Sequence, residues 1–251
     1  MSLTFYLIAA PVVFLFSGLM AMAGLGAAFL FVPFFYYLGV PLSEAAPAGL
    51  LLNAISLSFA TINYSRARMI DWRVALPVAL TAVVLAPIGA RLTPHVDKTT
   101  LLVLFAVFLA FAGAMMLFYR SQARTEIAGS KKIWLVGASV GGSAGFIGGL
   151  LGVGGGNIIV PALNWLGLDA KRAAATSAVA VVFSSLSGFL GHATVGKMDM
   201  TFLGILGLMS AVGSLAGSQL MKEKLSSSQL KKLIGIVLWV VAAKMLFDVF
   251  K

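Results

Sequence analysis

Long stretches without a single charged residue dominate this sequence. No Asp, Glu, Lys or Arg occurs before Glu44, and further uncharged stretches cover residues 45–65, 74–90, 99–119, 133–168, 173–196 and 200–221. A membrane-spanning helix needs about 20 apolar residues, so most of these stretches are long enough to cross a bilayer. Backbone groups in lipid must be satisfied within the segment, and the strict alternation of a β-barrel is absent from the sequence. The sequence therefore predicts an all-α integral membrane protein.

Composition narrows the functional classes. Hydrophobic residues make up 60% of the 251 positions, and there is no cysteine, which excludes disulfides, thiolate catalysis and Cys-ligated metals. The net charge of +10 is scattered through short loops, so it indicates membrane topology rather than nucleic-acid binding. The N-terminus lacks the basic region of a signal peptide, and we interpret it as the first membrane segment. No nucleophile–base pair, carboxylate dyad or metal-ligand set is visible, so we expect no enzyme, cofactor or metal.

The sequence contains an internal duplication with an offset of 128 residues. Under this shift an ordered series of glycines, prolines, serines and aspartates coincides. The pairs are Gly24 with Gly152, Gly26 with Gly154, Pro33 with Pro161, Ser56 with Ser184, Asp71 with Asp199 and Gly89 with Gly217. We therefore divide the chain into a first repeat (1–119), a linker (120–132) and a second repeat (133–251) within one membrane domain.

Each repeat begins with an apolar stretch that is too long for one span. Residues 3–39 would form a helix of about 55 Å, against a hydrocarbon core of about 30 Å. A glycine cluster lies inside the stretch, where a helix breaks most easily. Each half is thus a long segment, a break, a short segment and three ordinary spans, giving about 8–10 membrane segments in all. The predicted segments are 3–22, 27–38, 45–64, 74–91 and 99–119, then 133–151, 157–167, 173–191, 201–221 and 229–249.

The distribution of basic residues favours inverted repeats. With an even number of crossings per half, the 18 Lys and Arg divide ten to eight between the two sides, and with an odd number they divide thirteen to five. Only the second division obeys the positive-inside rule. It places both termini outside and the linker in the cytoplasm. Whether the broken pair spans twice or re-enters stays open, because both give the same parity.

The glycine breaks are the best candidates for a binding site. In the second repeat, Gly152, Gly154, Gly155 and Gly156 leave backbone amides uncovered, and the following helix directs its positive end at them. Asn157 can cap that helix or contact a solute. The alternative is that the glycines only permit close helix packing. In the first repeat Gly24 and Gly26 remain, but alanines replace two of the glycines and Phe29 replaces Asn157.

Polar side chains on the span after each break form a second candidate group. We select Thr176, Ser177 and Ser184 in the second repeat, with Asn53 and Ser56 in the first. The alternative is that such hydroxyls bond to their own helix or a neighbouring one.

Other ionisable residues have structural interpretations. Lys244 and Asp248 have the spacing of a helical ion pair, and Asp71 and Asp199 precede spans as helix starts. His192, at the end of its span, is expected to be interfacial.

The second glycine cluster, Pro161 nine residues after Gly152, and Thr176-Ser177 followed by Ser184 resemble the signature of the TauE/SafE family, a group of sulfite and organosulfonate exporters. The resemblance covers about residues 10–250 and implies a multi-pass transporter of sulfur-containing anions. The first half departs from the pattern, with Ala27-Ala28 in place of glycines and Ala48-Gly49 in place of Thr-Ser.

We therefore predict a secondary transporter of a small anion, sulfite or an organosulfonate, that exports it across a bacterial inner membrane. A passive anion channel is the alternative. The partners are the anion and the lipid bilayer, without nucleic acid, and a homodimer is the candidate assembly. The identity of the anion, the coupling ion and the direction of transport stay open. A nucleotide-binding loop is lacking, because no Lys-Ser/Thr follows the glycines.

Overall fold

The uncharged stretches fold as helices in the computed structural model of the chain. The structure describes residues 3–118, 130–192, 199–223 and 227–250. The helices in this part are α1 (Leu3–Ala23), α2 (Ala28–Tyr37), α3 (Leu42–Arg66), α4 (Trp72–Leu92), α5 (Lys98–Phe118), α6 (Ser130–Leu151), α7 (Gly156–Trp165), α8 (Ala170–Gly191), α9 (Met200–Glu223) and α10 (Ser227–Phe250), with one 3-10 turn at Thr93–His95. The all-α class is confirmed. Most of the predicted linker lies outside the described residues.

Both predicted helix breaks are confirmed. The first apolar stretch is divided between α1 and α2, and the second between α6 and α7. The short helices α2 and α7 have 10 residues each. That length corresponds to about 15 Å, roughly half of a hydrocarbon core.

Aspartates begin four of the long helices in the described residues, and at the start of α5 Asp97 accepts a hydrogen bond from the amide of Thr100. Asp71 accepts a hydrogen bond from the amide of Arg73 at the start of α4, and Asp199 accepts one from the amide of Thr201 at the start of α9. Asp169 does the same for α8. Such caps satisfy amides that have no partner within the helix, and they confirm the interpretation of Asp71 and Asp199 as helix starts. The backbone hydrogen bonds from Thr201 and Phe202 lower the pKa of the Asp199 carboxyl.

The outer surface of the bundle is apolar. Seven helices in the described residues are long and apolar enough to cross a membrane: α1, α3, α4, α5, α6, α8 and α9. On α4 the residues Leu76, Leu80, Val84 and Ile88 form an exposed stripe at four-residue spacing. In water an apolar stripe of this size would promote aggregation, whereas in lipid it is the expected surface of a membrane helix. The protein is a multi-pass membrane protein.

Helices at repeat-related positions make reciprocal contacts between the two halves. Helix α1 packs on α9 while α6 packs on α4, and α3 packs on α9 while α8 packs on α4. Helices α3 and α8 pack on each other, as do α5 and α10. Glycines permit the closest approaches, because a β-carbon at Gly89 would overlap the backbone of Phe146 and one at Gly217 would overlap that of Gly18.

Side-chain contacts place the ends of the α1–α2 pair close together. Phe202, at the start of α9, contacts both Phe5 near the start of α1 and Phe35 near the end of α2. The Tyr6 hydroxyl donates a hydrogen bond to Asp199, and the Tyr37 hydroxyl donates one to Asp248. The pair therefore returns to the end of the bundle from which it begins, and we name this end A.

The ends of the α6–α7 pair also lie together, at the other end of the bundle, which we name end B. The Lys132 ammonium lies 4.8 Å from the ring centroid of Trp165, which joins the start of α6 to the end of α7. The start of α8 follows, and there Arg172 forms an ion pair of 3.4 Å with Asp71 in the α3–α4 loop. Because α3 runs from end A to this loop, α1 and α6 begin at opposite ends of the bundle.

Candidate functional site

Both breaks are built from glycines in the left-handed region. The φ angles are +65° at Gly24 and +74° at Gly26 in the first break, and +74°, +77° and +76° at Gly152, Gly154 and Gly155 in the second. Residues with a β-carbon adopt such angles only at an energetic cost, so the backbone of the breaks favours glycine at these positions. This explains why the glycine clusters of the sequence coincide with the breaks. The turns leave the first amides of α2 and α7 without partners in their own helix.

The two breaks contact each other in the buried centre of the bundle. A β-carbon at Gly156 would overlap the carbonyl oxygen of Leu25, so the second break lies directly against the first. Gly24 packs in the same way on the backbone of Ala174 in α8, and Gly152 packs on Ala46 in α3. The prediction that the two breaks approach each other is confirmed.

A side chain from α3 completes the first break. The Asn53 carboxamide oxygen accepts hydrogen bonds from the amides of Ala27 and Ala28, at 2.6 and 3.3 Å. The carboxamide nitrogen donates a bond of 2.8 Å to the Ser185 hydroxyl on α8. Asn53 is fully buried, so the positive end of α2 is capped from another helix.

The second break has no such cap. In the described part of the chain, the amides of Gly155, Gly156 and Asn157 donate no hydrogen bond. Asn157 is only 2% exposed, and neither polar atom of its side chain has a hydrogen-bond partner among the described residues. Val181 occupies the position equivalent to Asn53, so α8 offers no oxygen there. Donors and a free carboxamide are thus concentrated at the second break.

The predicted hydroxyl groups separate into three situations. Ser184 lies at the second break, where its hydroxyl donates a bond of 3.0 Å to the Gly154 carbonyl. Thr176 lies further along α8, and its hydroxyl accepts from the Asp71 amide at 3.0 Å. The hydroxyls of Ser56 and Ser177 are buried without a partner among the described residues, although the Ser56 carbonyl accepts from Ser214.

Two residues near the breaks were outside the predicted site. Ser185 joins α8 to Asn53, and its repeat-related position is Leu57, so the duplication gave no signal for it. His192 is 8% exposed, with Nε2 3.1 Å from the carbonyl oxygen of Gly149, in the last turn of α6 before the break. This burial differs from the predicted interfacial position, because α8 ends against α4 and α6 rather than at the surface.

Helix termini provide the electrostatic field of the site. Among the described residues, those that form the breaks and those named above as contacting them are all uncharged. The start of a helix is equivalent to roughly half a positive charge, and its field is strong where water is excluded. At α2 the Asn53 oxygen accepts from this positive end, whereas the α7 end has only unpaired donors. The second break is therefore suited to a small anion.

Comparison with known proteins identifies the family. The sequence profile of the family described as "Sulfite exporter TauE/SafE" matches residues 9–245, nearly the whole chain. The chain belongs to the TauE/SafE family. This TauE/SafE protein is similar to a probable membrane transporter protein of Methanocaldococcus jannaschii, with 24% identity over 89% of the chain and 88% of the relative. It is similar to the probable membrane transporter protein YunE of Bacillus subtilis, with 24% identity over 91% and 92%.

A shorter match links the chain to a plant relative. "Sulfite exporter TauE/SafE family protein 1" of Arabidopsis thaliana is 31% identical over 100 residues, which cover 40% of this chain and 22% of that protein. The family and the fold together make this TauE/SafE protein a membrane transporter, and the resemblance noted from the second glycine cluster is confirmed.

Proposed function

We propose that this transporter carries a small oxyanion, sulfite or an organosulfonate, and binds it at the second break. The observation that carries the proposal is the buried, unpaired set of donors at the start of α7. These donors are the amides of Gly155, Gly156 and Asn157 and the Asn157 carboxamide nitrogen.

Buried polar groups without partners are costly, so their presence needs an explanation. Leaving one donor unsatisfied costs about 1–3 kcal/mol. Several such groups converge at one helix start, and a bound oxyanion would satisfy them together. A sulfite or sulfonate group has three oxygens, which matches a set of three or four donors better than a spherical halide does. Ser177, about two turns before Ser184 on the neighbouring α8, has a buried hydroxyl that is also unpaired among the described residues.

The relatives support the same class of solute. The family description names sulfite export, as does the name of the Arabidopsis thaliana protein. We extend both the solute class and the outward direction to this chain as part of the proposal, with the bacterial inner membrane as its location.

The arrangement of helix ends supports the inverted orientation. The contacts that place the start of α1 at end A and the start of α6 at end B support our proposal that the halves cross the membrane in opposite directions. Arg66, Arg73, Lys132 and Arg172 lie at end B, which we propose is cytoplasmic. Inverted repeats with broken helices at the centre are a known transporter architecture.

A fusion experiment tests this orientation. A fluorescent protein that matures only in the cytoplasm should stay dark when fused after Lys251 and should fluoresce when inserted in the linker 120–132. Immunoblots of the membrane fraction control for expression and insertion. Fluorescence from the fusion after Lys251, in protein that is integrated in the membrane, would contradict the inverted arrangement.

The solute is tested by flux in proteoliposomes. Labelled sulfite and a small sulfonate should enter vesicles containing the purified protein with saturable kinetics, and external unlabelled anion should accelerate their exit. Sodium or potassium flux serves as the cation control. Movement of cations alone would refute the anion proposal. A flux that rises linearly with concentration, without acceleration by counter-anion, would identify the passive channel.

A further inference from the structure

The first break has the same order of elements as the second but is already occupied. Both short helices have 10 residues and follow glycines of positive φ, so each presents a positive end with orphan amides. The breaks differ at the residue before the short helix, which is Ala27 with a φ of −102° in the first and Gly155 with a φ of +76° in the second. Two such helix starts suggest two anion sites, and the side chain of Asn53 distinguishes them.

The Asn53 oxygen takes the place that an anion oxygen would take. It accepts from two consecutive amides, Ala27 at 2.6 Å and Ala28 at 3.3 Å, which is the way a helix start holds an oxyanion. A carboxamide oxygen is a weaker acceptor than a charged one, but it is covalently attached and loses little entropy on binding.

No room remains for a solute beside this cap. A β-carbon at Gly26 would overlap the Asn53 carboxamide, and Asn53 itself has no exposed surface. An ion could reach the Ala27 and Ala28 amides only after the carboxamide had been displaced.

The orientation of the carboxamide is fixed by the amides of Ala27 and Ala28, which can only donate and therefore face its oxygen. Its nitrogen is thereby directed at the Ser185 hydroxyl, to which it donates at 2.8 Å. A β-carbon at Gly154 would lie 2.7 Å from both the Asn53 nitrogen and the Ser185 oxygen, so the same side chain forms a wall of the second break.

We propose that Asn53 is a built-in occupant of the first break, so that each chain binds one anion, at the second break. The inference rests on the proposed anion transport and adds its stoichiometry and the residue that sets it. Asn53 is a positioning residue in this role, because it holds α2 and excludes a solute without itself binding one.

Equilibrium dialysis of the purified protein in lipid nanodiscs tests the proposal. The wild-type chain should bind one labelled sulfite. Asn53→Ala vacates a planar group of three heavy atoms, the size of formate, so this variant should bind one more labelled formate per chain than wild type. The matched control is Asn63→Ala, which removes another buried carboxamide of α3, one that donates to Ser218, and this variant should bind the same number as wild type. Two sulfites on the wild-type chain, or no added formate on folded Asn53→Ala, would overturn the proposal.

A second variant decides the question if Asn53→Ala does not fold. Asn53→Asp keeps an oxygen at the α2 amides, where a negative charge stabilises a helix start. The same charge would lie against Gly154 and should weaken sulfite binding at pH 8 by at least about tenfold through repulsion. Unchanged affinity in stable Asn53→Asp protein would overturn the proposal. If the wild-type chain binds no anion at all, the proposed function itself fails, and the inference fails with it.

Discussion

The two glycine breaks have corresponding glycines of positive φ, Gly24 with Gly152 and Gly26 with Gly154, but they differ in how their polar groups are completed. At the first break the donors of α2 meet the Asn53 oxygen, whereas at the second the donors of α7 meet no protein acceptor among the described residues. The residue after the second break is Asn157, with both polar atoms unpaired, and its counterpart in the first is the buried ring of Phe29. The first break is thus a packed joint, and the second has the unpaired donors on which the proposed anion site rests.

Two buried asparagines, Asn63 and Asn157, show the same contrast in whether their side chains form hydrogen bonds. Asn63 on α3 is buried and donates a bond of 2.8 Å to Ser218, as expected for a structural residue. Asn157 is buried more deeply without a bond. An unpaired group of this kind lowers the stability of the solute-free protein, so a function at this position explains it better than packing does.

The largest effect is expected from Gly155→Val. The residue has a φ of +76°, and its β-carbon would overlap the carbonyl oxygen of Ala144 in α6. A branched side chain adds strain in both respects, so transport should be lost together with much of the thermal stability. Sulfite flux and the melting temperature of the purified variant measure the two losses.

Gly39→Val is the matched control for this variant. Gly39 has a φ of +89° but nothing within 4 Å of its β-carbon position, so it carries the strain without the collision. It should keep most of its flux. Normal flux in folded Gly155→Val protein would show that the second break is not part of the site.

A smaller effect, and a more specific one, is expected from Asn157→Ala. Loss of one hydrogen bond to the anion, worth about 1 kcal/mol, should weaken sulfite binding about fivefold. The melting temperature without solute should not fall, because the carboxamide that is removed has no partner. Calorimetric titration and thermal unfolding measure the two quantities on the same sample.

Asn63→Ala is the control, and its expected effects on stability and on sulfite affinity are the reverse of those of Asn157→Ala. It removes a satisfied carboxamide, so stability should fall while sulfite affinity stays within twofold. Equal loss of stability in the two variants would indicate that Asn157 is a structural residue.

Much of the fold could be predicted from the sequence because a chain in lipid can satisfy its backbone hydrogen bonds in only a few ways. The uncharged stretches located the long helices, and the glycine clusters located both breaks within a few residues. The predicted span 45–64 begins at the first residue after the charge of Glu44, whereas α3 already begins at Leu42. Glu44 lies in the first turn of the helix, where a negative charge is favourable.

The site was predicted less completely because its partners come from different helices. The duplication directed attention to pairs such as Ser56 and Ser184, which share a position but have different environments. The bond from Asn53 to Ser185 joins two positions whose repeat counterparts, Val181 and Leu57, are apolar. A symmetry argument cannot find a contact between the halves that has no repeat-related counterpart. This contact is seen only once α3 is packed on α8 in the structure.

The smallest effect on affinity is expected from Phe29→Ala, at the repeat-related position of Asn157. The ring is fully buried in the core, so its loss should lower the free energy of unfolding by about 3–5 kcal/mol. Sulfite affinity should stay within twofold, because the α2 amides beside Phe29 are held by Asn53 and take no part in binding. The expected pattern is the reverse of that for Asn157→Ala, and titration at a temperature where both variants are folded compares them directly. A loss of affinity in Phe29→Ala equal to that in Asn157→Ala would mean that the two breaks contribute alike, and the functional asymmetry between them would have to be abandoned.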